Sequence, residues 1–249
     1  MIMAIKANKN RSSPLVLMAM CIVQVMSIAP ASHAIDLSAG LMVGEDFSGF
    51  WGKDKYGYPL QTYYRTGTCA SAEFSAKFGK LLGARIEFAY VKKGKRIVAE
   101  YASTLVNEQG EIDTLNSQWD ETIKFDYLEI PVLAQIRLLH HSKISIYFFT
   151  GPAFDFLIQA KEYILDNGNG IYINIRDETT SFDFCGVAGL SCERDLGPGA
   201  VTVNLRFSGG FLTTNKVADL QKSVDPDAHT ADRKNWTIGA LIGYEFKIK

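Results

Sequence analysis

Ile144-Ser145-Ile146-Tyr147-Phe148-Phe149-Thr150-Gly151-Pro152-Ala153-Phe154-Asp155-Phe156-Leu157-Ile158-Gln159-Ala160 decides the fold. Among its even-numbered positions only Thr150 is polar. The odd-numbered set, carried on to Lys161, holds Ser145, Tyr147, Asp155 and Gln159. Alternation with a period of two is the mark of a strand with two different faces. Strands of soluble proteins run ~5–6 residues, whereas a strand crossing a bilayer needs ~9–11 within the hydrocarbon. The run from Ile144 to Ala160 is far longer than the first and suits the second.

The same two-faced pattern recurs. One face carries Leu82, Ala84, Ile86, Phe88 and Tyr90 against Arg85 and Glu87. Another carries Leu128, Ile130, Val132, Ala134, Ile136 and Leu138 against Glu129, Gln135 and Arg137. Phe182 to Ser191, Val201 to Ser208 and Trp236 to Phe246 behave alike, and Leu37 to Val43 and Ala70 to Phe78 do so more weakly. These make eight strands. Gly79–Leu81, Leu139–Lys143 and Asp195–Pro198 are short connections; 51–67, 93–120, 163–176 and 213–233 are long ones. Short turns at one end and long loops at the other are the pattern of an outer-membrane barrel. The expected fold is therefore all-β: an eight-stranded antiparallel up-and-down transmembrane barrel with both termini on the periplasmic side. Pro131 and Pro152 fall inside strands and remove ladder donors, so bulges are expected there.

Register has a magnitude. A slip of one residue would turn Glu87, Glu129, Arg137, Asp155, Asp183, Arg206 and Glu245 toward lipid. A base at the bilayer midplane costs ~2–4 kcal/mol and an acid less. Several together exceed the ~5–15 kcal/mol stability of a domain. The apolar faces must look outward and the charges inward.

The first 34 residues read as an address. Lys6, Lys9 and Arg11 precede an apolar run from Pro14 to Ala29, and Ser32-His33-Ala34 forms a small-x-small cleavage site. This predicts a secretory signal peptide over 1–34 and a barrel domain over 35–249. Removing those three bases takes the formal charge from −1 to −4. The near-balance of 26 bases and 27 acids excludes a nucleic-acid footprint.

Phe78 to Gly94, including Gly83-Ala84-Arg85-Ile86-Glu87-Phe88, resembles a strand motif of the porin-family outer-membrane β-barrel domain. Asp126-Tyr127-Leu128-Glu129-Ile130-Pro131-Val132-Leu133 is similar to that family's most recognisable stretch. Thr150-Gly151-Pro152-Ala153-Phe154 and Asp183-Phe184-Cys185-Gly186-Val187-Ala188-Gly189-Leu190 resemble its next two strands. The resemblance implies an outer-membrane barrel of about eight strands and no single activity. Such barrels usually end on an aromatic residue, whereas here Lys247-Ile248-Lys249 follows Phe246. Thr237 to Tyr244 still fits a signal for the assembly machinery.

An eight-stranded barrel is only wide enough for side chains to fill. The expected interior is an ion network of Arg85, Glu87, Glu129, Arg137, Asp155, Asp183, Arg206 and Glu245, joined by Glu73, Lys77, Lys161 and Glu193. Arg85, Glu87, Glu129 and Arg137 are expected at its centre. The alternative use of the same charges is a polar pore lining. Trp51, Tyr56, Tyr58, Tyr63 and Tyr64 are either an external contact surface or part of the aromatic girdle.

Cys69, Cys185 and Cys192 show no metal spacing, and no disulfide is expected. On one strand Cys185 and Cys192 would lie ~23 Å apart at ~3.3 Å per residue. His140 and His141 share a short turn, and no nucleophile–base pair converges, so no catalytic residue, cofactor or metal is expected. Asp166-Asn167-Gly168-Asn169-Gly170 reads as a turn, since Gly168 stands where a calcium loop needs a ligand. The expected partners are outer-membrane lipid, the assembly machinery and an unidentified external macromolecule. Three functions stay open: a side-chain-filled barrel with a structural or loop-interaction role, a narrow channel for ions or small solutes, and a soluble exported barrel holding an apolar ligand.

Overall fold

The structure is a computed structural model that describes residues 35–53, 63–106, 112–166, 169–214 and 232–248. The expected signal peptide lies outside the described residues. Nine strands run antiparallel: β1 (Ile35–Lys53), β2 (Tyr63–Phe78), β3 (Leu82–Val106), β4 (Ile112–His141), β5 (Ile144–Asp166), β6 (Asn169–Asn174), β7 (Phe182–Asp195), β8 (Gly199–Gly210) and β9 (Asp232–Ile248). Their order is β4-β3-β2-β1-β9-β8-β7-β5, and a further β4–β5 pairing closes the ring. Eight strands thus form the barrel, and β6 pairs only with the outer part of β5. Closure leaves no sheet edge for lipid to meet, which is what a membrane-spanning sheet requires.

The tight turns after β2, β4 and β7 lie at one end with Ile35 and Ile248. That is the periplasmic end. Gly79 at φ 64° and Gly197 at φ 97° supply left-handed residues for two of these turns.

Along β1, Leu37, Leu41, Val43 and Phe47 face out while Ser38, Met42, Asp46 and Ser48 are buried inside. Along β8, Val203, Leu205 and Phe207 face out against Thr202, Asn204, Arg206 and Ser208. The exposed aliphatics and rings form the lipid-facing wall.

Three strand expectations are corrected. Pro131 and Pro152 shift no register: Pro131 pairs opposite Ala153, and the ladder resumes in phase at Ala134 opposite Thr150. On the β4–β5 ladder the bulges fall instead at Ile158, opposite Asp126 and Tyr127, and at Leu138, and β2–β3 shifts register between Tyr64 and Cys69. The bulge at Ile158 reverses parity, so Ala160 is fully buried while Lys161 points outward. Finally, Lys93 to Asp120 is not a loop. β3 and β4 stay paired from Lys93 opposite Phe125 to Val106 opposite Ile112, well past the last β4–β5 pair at Trp119 and Asp166.

Polarity inverts along these strands. Below Leu128 the outward residues of β4 are apolar, but above it Lys124 and Asp126 face out while Ile123, Phe125 and Tyr127 are buried inside. On β3 the outer face changes likewise at Lys92, while the inner face runs from Val91 to the buried Lys93 and Lys95. The hydrocarbon boundary therefore runs near Leu128 and Tyr90, and the barrel continues beyond it as a water-facing β structure with an apolar centre.

Leu205, 58% exposed on the outer wall, tests this placement. In lipid vesicles Leu205→Arg is expected to lower unfolding stability by about 2–4 kcal/mol, with Leu205→Phe close to neutral. Equal tolerance of both would mean that this face does not meet hydrocarbon.

Candidate functional site

The site is the lumen. Every inward position of a closed barrel meets residues from across the ring, so charges far apart in sequence converge. Three layers follow from the periplasmic end. In the first, Lys77 Nζ lies 2.6 Å from Glu193 and 3.6 Å from Glu245, and Ser38 donates to Glu245 at 2.9 Å. In the second, Arg85 reaches Glu87 at 2.9 Å and Glu73 at 3.3 Å, with its guanidinium 4.5 Å from the Phe149 ring centre. Arg206 joins that layer to the next. It contacts Glu87 at 3.2 Å, Glu129 at 3.8 Å and Asp46 at 3.9 Å. In the third, Lys93 Nζ lies 2.8 Å from Glu129 and 2.5 Å from Asp155. Through Arg206 the second and third layers form one continuous chain of pairs, with the first layer below it.

Apolar clusters separate and close these layers. Met42, Cys69, Ala89, Val91 and Leu241 pack together on one side. Leu133, Phe149, Ala153, Cys185 and Val187 pack on the other. Phe50, Ile123, Phe125, Tyr127, Leu157 and Ala160 cover the external end, with Ile175 against them. The Tyr127 ring lies 5.5 Å from Lys93 Nζ and so roofs the third layer.

Seven of the eight interior residues read from the sequence are buried in the lumen: Arg85, Glu87, Glu129, Asp155, Arg206 and Glu245 within these ion pairs, and Asp183 on backbone N–H groups. Arg137 is the exception. It lies half-exposed beside the periplasmic opening and donates to the Tyr147 hydroxyl at 2.8 and 3.1 Å. Its place on β4 is one step from the bulge at Leu138, past the last full layer of the ring. Lys161, turned out by the bulge at Ile158, takes no part.

Sequence reasoning missed Asp46, Lys93 and Lys95, all buried. Lys93 and Lys95 sit in Lys92-Lys93-Gly94-Lys95-Arg96, which reads as a charged loop. The available signal was parity: Ala89, Val91, Lys93 and Lys95 continue the inward face set by Arg85 and Glu87.

The periplasmic opening is a vestibule of about 560 Å³ floored by Lys77, Glu193 and Glu245. Its rim carries Asp195, which accepts from the Gly197 N–H at 2.8 Å and from Lys247 Nζ at 3.0 Å. The Gly197 bond first, then Lys247, holds the Asp195 carboxyl below its ordinary range. A depressed carboxylate contributes stability above its unfolded value and loses it as pH falls through the folded one. In an NMR titration Asp195 is expected to protonate below the usual aspartate value, and Lys247→Ala should move it part of the way back. Also at this rim, His140 Nδ1 and Ser145 Oγ lie 2.9 Å apart. This pairing was not foreseen. Among the described residues no carboxylate hydrogen-bonds to His140, so the pair lacks the orienting acid of a hydrolase triad.

Trp51 and Tyr64 lie on the outer wall, 6.3 Å from Phe207 and 5.8 Å from Phe47 respectively. Tyr63 begins β2, and Tyr56 and Tyr58 lie outside the described residues. Cys192 is exposed on the wall, while Cys69 and Cys185 are buried beside Arg206 and Asp155.

The buried and exposed ion pairs should differ sharply. Lys93→Met leaves two enclosed carboxylates facing each other, and a loss of about 3–5 kcal/mol is expected in denaturant unfolding. Arg96→Ala removes a pair with Asp120 whose arginine is 55% exposed, and little change in the unfolding midpoint is expected. Similar midpoints for the two variants would mean that the lumen is wet.

Solved structures of comparable extent include Ail, the attachment invasion locus protein of Yersinia pestis, at 14% identity and a TM-score of 0.41, covering 84% of this chain and 98% of that one. Neisserial surface protein A matches at 8% identity and a TM-score of 0.42, over 86% and 99% of the two chains. OprG from Pseudomonas aeruginosa matches at 10% identity and a TM-score of 0.41, over 86% and 95%. No curated protein matches. The family model described as outer membrane protein beta-barrel domain matches residues 52–215. With the closed eight-stranded ring, its apolar wall and that match in hand, this chain belongs to the outer membrane protein beta-barrel domain family and resides in the outer membrane.

Proposed function

We propose that the protein is a closed, non-conducting barrel whose role is to hold an external β-sheet at the cell surface for contact with another macromolecule. The observation that carries this reading is the apolar cluster of Phe50, Ile123, Phe125, Tyr127 and Leu157 across the external end of the charge chain. Water in a cavity needs two to four polar partners; the cluster itself supplies few, and the buried Lys95 and Glu121 beside it, 3.5 Å apart, are paired with each other. An ion passing it would shed its hydration without replacement.

The extended part of β3, β4, β5 and β6 supports the second half of the reading. It stands beyond the polarity exchange, so its outer face meets water. All of β6 is exposed, and Tyr163 and Tyr172 pair with ring centres 4.5 Å apart. Lys124 Nζ lies 5.9 and 5.8 Å from those two rings. Ile171 and Ile173, on the other face of β6, are 60% and 41% exposed. A tyrosine pair beside a cation has the composition of a contact surface. The candidate contact residues move accordingly from the first loop to the β5–β6 hairpin.

Two measurements test the reading. Purified protein in planar bilayers is expected to give no single-channel steps. Regular steps would favour the narrow channel instead. A photo-crosslinking residue at Tyr172 on intact cells is expected to yield a discrete macromolecular adduct, whereas the same probe at Leu205 should yield lipid only. No adduct at Tyr172, or identical products at both sites, would remove the surface role.

A further inference from the structure

Glu129, Asp155 and Asp183 stand directly opposite one another on β4, β5 and β7, all pointing inward. Like charges placed so are mutually destabilising. Lys93 pairs with Glu129 and Asp155, but Asp183 makes no salt bridge among the described residues. Two residues along β7, Cys185 shares the inward face, and its thiol donates to Asp155 Oδ2 at 3.1 Å. One ligand atom each from Asp155, Asp183 and Cys185 lies within 4.8 Å of the others.

The oxygens left over point to a missing partner. Asp183 Oδ1 accepts the backbone N–H groups of Phe184 and Leu212 at 2.8 and 3.1 Å. Asp183 Oδ2 and Asp155 Oδ1 are buried without a hydrogen-bond partner, in residues 3% and 0% exposed. An enclosed carboxylate oxygen with no donor keeps its desolvation penalty uncompensated. The roof of Tyr127 and the apolar packing of Ala153 and Val187 below exclude bulk water as the donor.

We propose that Asp155, Asp183 and Cys185 form a binding site for one divalent metal ion of intermediate softness, zinc before the others. Two carboxylate oxygens and one sulfur suit Zn²⁺, which accepts both ligand types and commonly takes three protein ligands and one more donor. Magnesium and calcium need more oxygens and no sulfur. Lys93 need not leave, because Asp155 offers a free oxygen besides the one the lysine holds. On binding, the Cys185 S–H bond breaks, a metal–sulfur bond forms, and the proton leaves to solvent. With the carboxyls ionised, Glu129, Asp155, Asp183 and Lys93 sum to −2. The ion and the thiolate bring that to −1, and Arg206, shared among Glu129, Glu87 and Asp46, offsets part of the remainder. Three strands supply the site and its surroundings, so the ion must be captured as the barrel closes.

The test refolds the chelator-stripped protein in detergent with zinc or with cobalt. One zinc per chain is expected to survive gel filtration. Cobalt should give a near-ultraviolet thiolate-to-metal band that persists in Cys69→Ser and Cys192→Ser and vanishes in Cys185→Ser. Asp183→Asn should weaken zinc retention by at least about tenfold. Zinc absorption spectra of the unaltered protein need no variant to fold, and should show sulfur at about 2.3 Å with oxygens at ~2.0–2.2 Å. No stoichiometric zinc after refolding, a cobalt band that persists in a folded Cys185→Ser, or a zinc spectrum without sulfur would each overturn the site.

Discussion

A closed wall of eight strands gives each side chain one of two environments, and the structure follows from the rule that enclosed charge must find a partner. Arg85, Lys93 and Arg206 each touch more than one carboxylate, and each carboxylate that touches them lies on another strand or two residues along the same one. Such pairs add little net stability over apolar side chains of equal volume, because desolvation consumes much of the Coulomb gain. Their effect lies in the alternatives. A shift of one strand by one residue would turn its charges toward lipid and leave their partners alone in the lumen. The ion chain therefore selects one register for the ring.

The second consequence concerns the level of the membrane. Parity along β4 is constant from Ile123 to Gln135, yet what it separates changes. Below Leu128 the outward residues are greasy because hydrocarbon is outside; above it Lys124 and Asp126 are outward because water is outside. The inward face responds in reverse. Glu129, just within that boundary, takes Lys93 from just beyond it, whereas Phe125 and Ile123 belong to an apolar cluster beside the buried Lys95–Glu121 pair. One continuous strand thus serves as a membrane wall and then as part of a water-facing sheet, whose inner face carries the apolar cluster at the external end of the lumen.

This change of rule also explains what was legible in the sequence. Ile144 to Ile158, Val201 to Ser208 and Trp236 to Phe246 keep one rule over their span, and their faces were assigned from alternation alone. Lys93 and Lys95 were not, because a lysine pair around Gly94 has the composition of a loop, and only continued parity from Arg85 and Glu87 says otherwise. The bulge at Ile158 has no sequence mark: no Gly stands there, and the prolines that suggested bulges, Pro131 and Pro152, leave the register intact. Arg137 kept the right parity but the wrong height, since alternation reports which face a residue occupies and not how far along the barrel axis it lies. The approach of Cys185 to Asp155 was likewise invisible, because their contact depends on the β5–β7 register, and β6 intervenes in the chain between them.

The order of layers bears on transport as well as on stability. A hydrated ion entering from the periplasm meets the vestibule, whose floor of Lys77, Glu193 and Glu245 offers both signs of charge. It could exchange into that layer at modest cost. Further travel demands that Arg85 and Arg206, each fixed by several carboxylates and the first also against the Phe149 face, release partners that have no water to replace them. The last step crosses Tyr127, Phe125 and Phe50, where polar groups are few. The two obstacles oppose passage by different means: the ion layers through the strength of their pairing, the apolar layer through rings whose buried polar neighbours, Lys95 and Glu121, already hold each other. A substitution that loosens one leaves the other in place. That redundancy is more readily understood if the interior serves to brace the wall beneath a projecting sheet than if it serves to pass solutes.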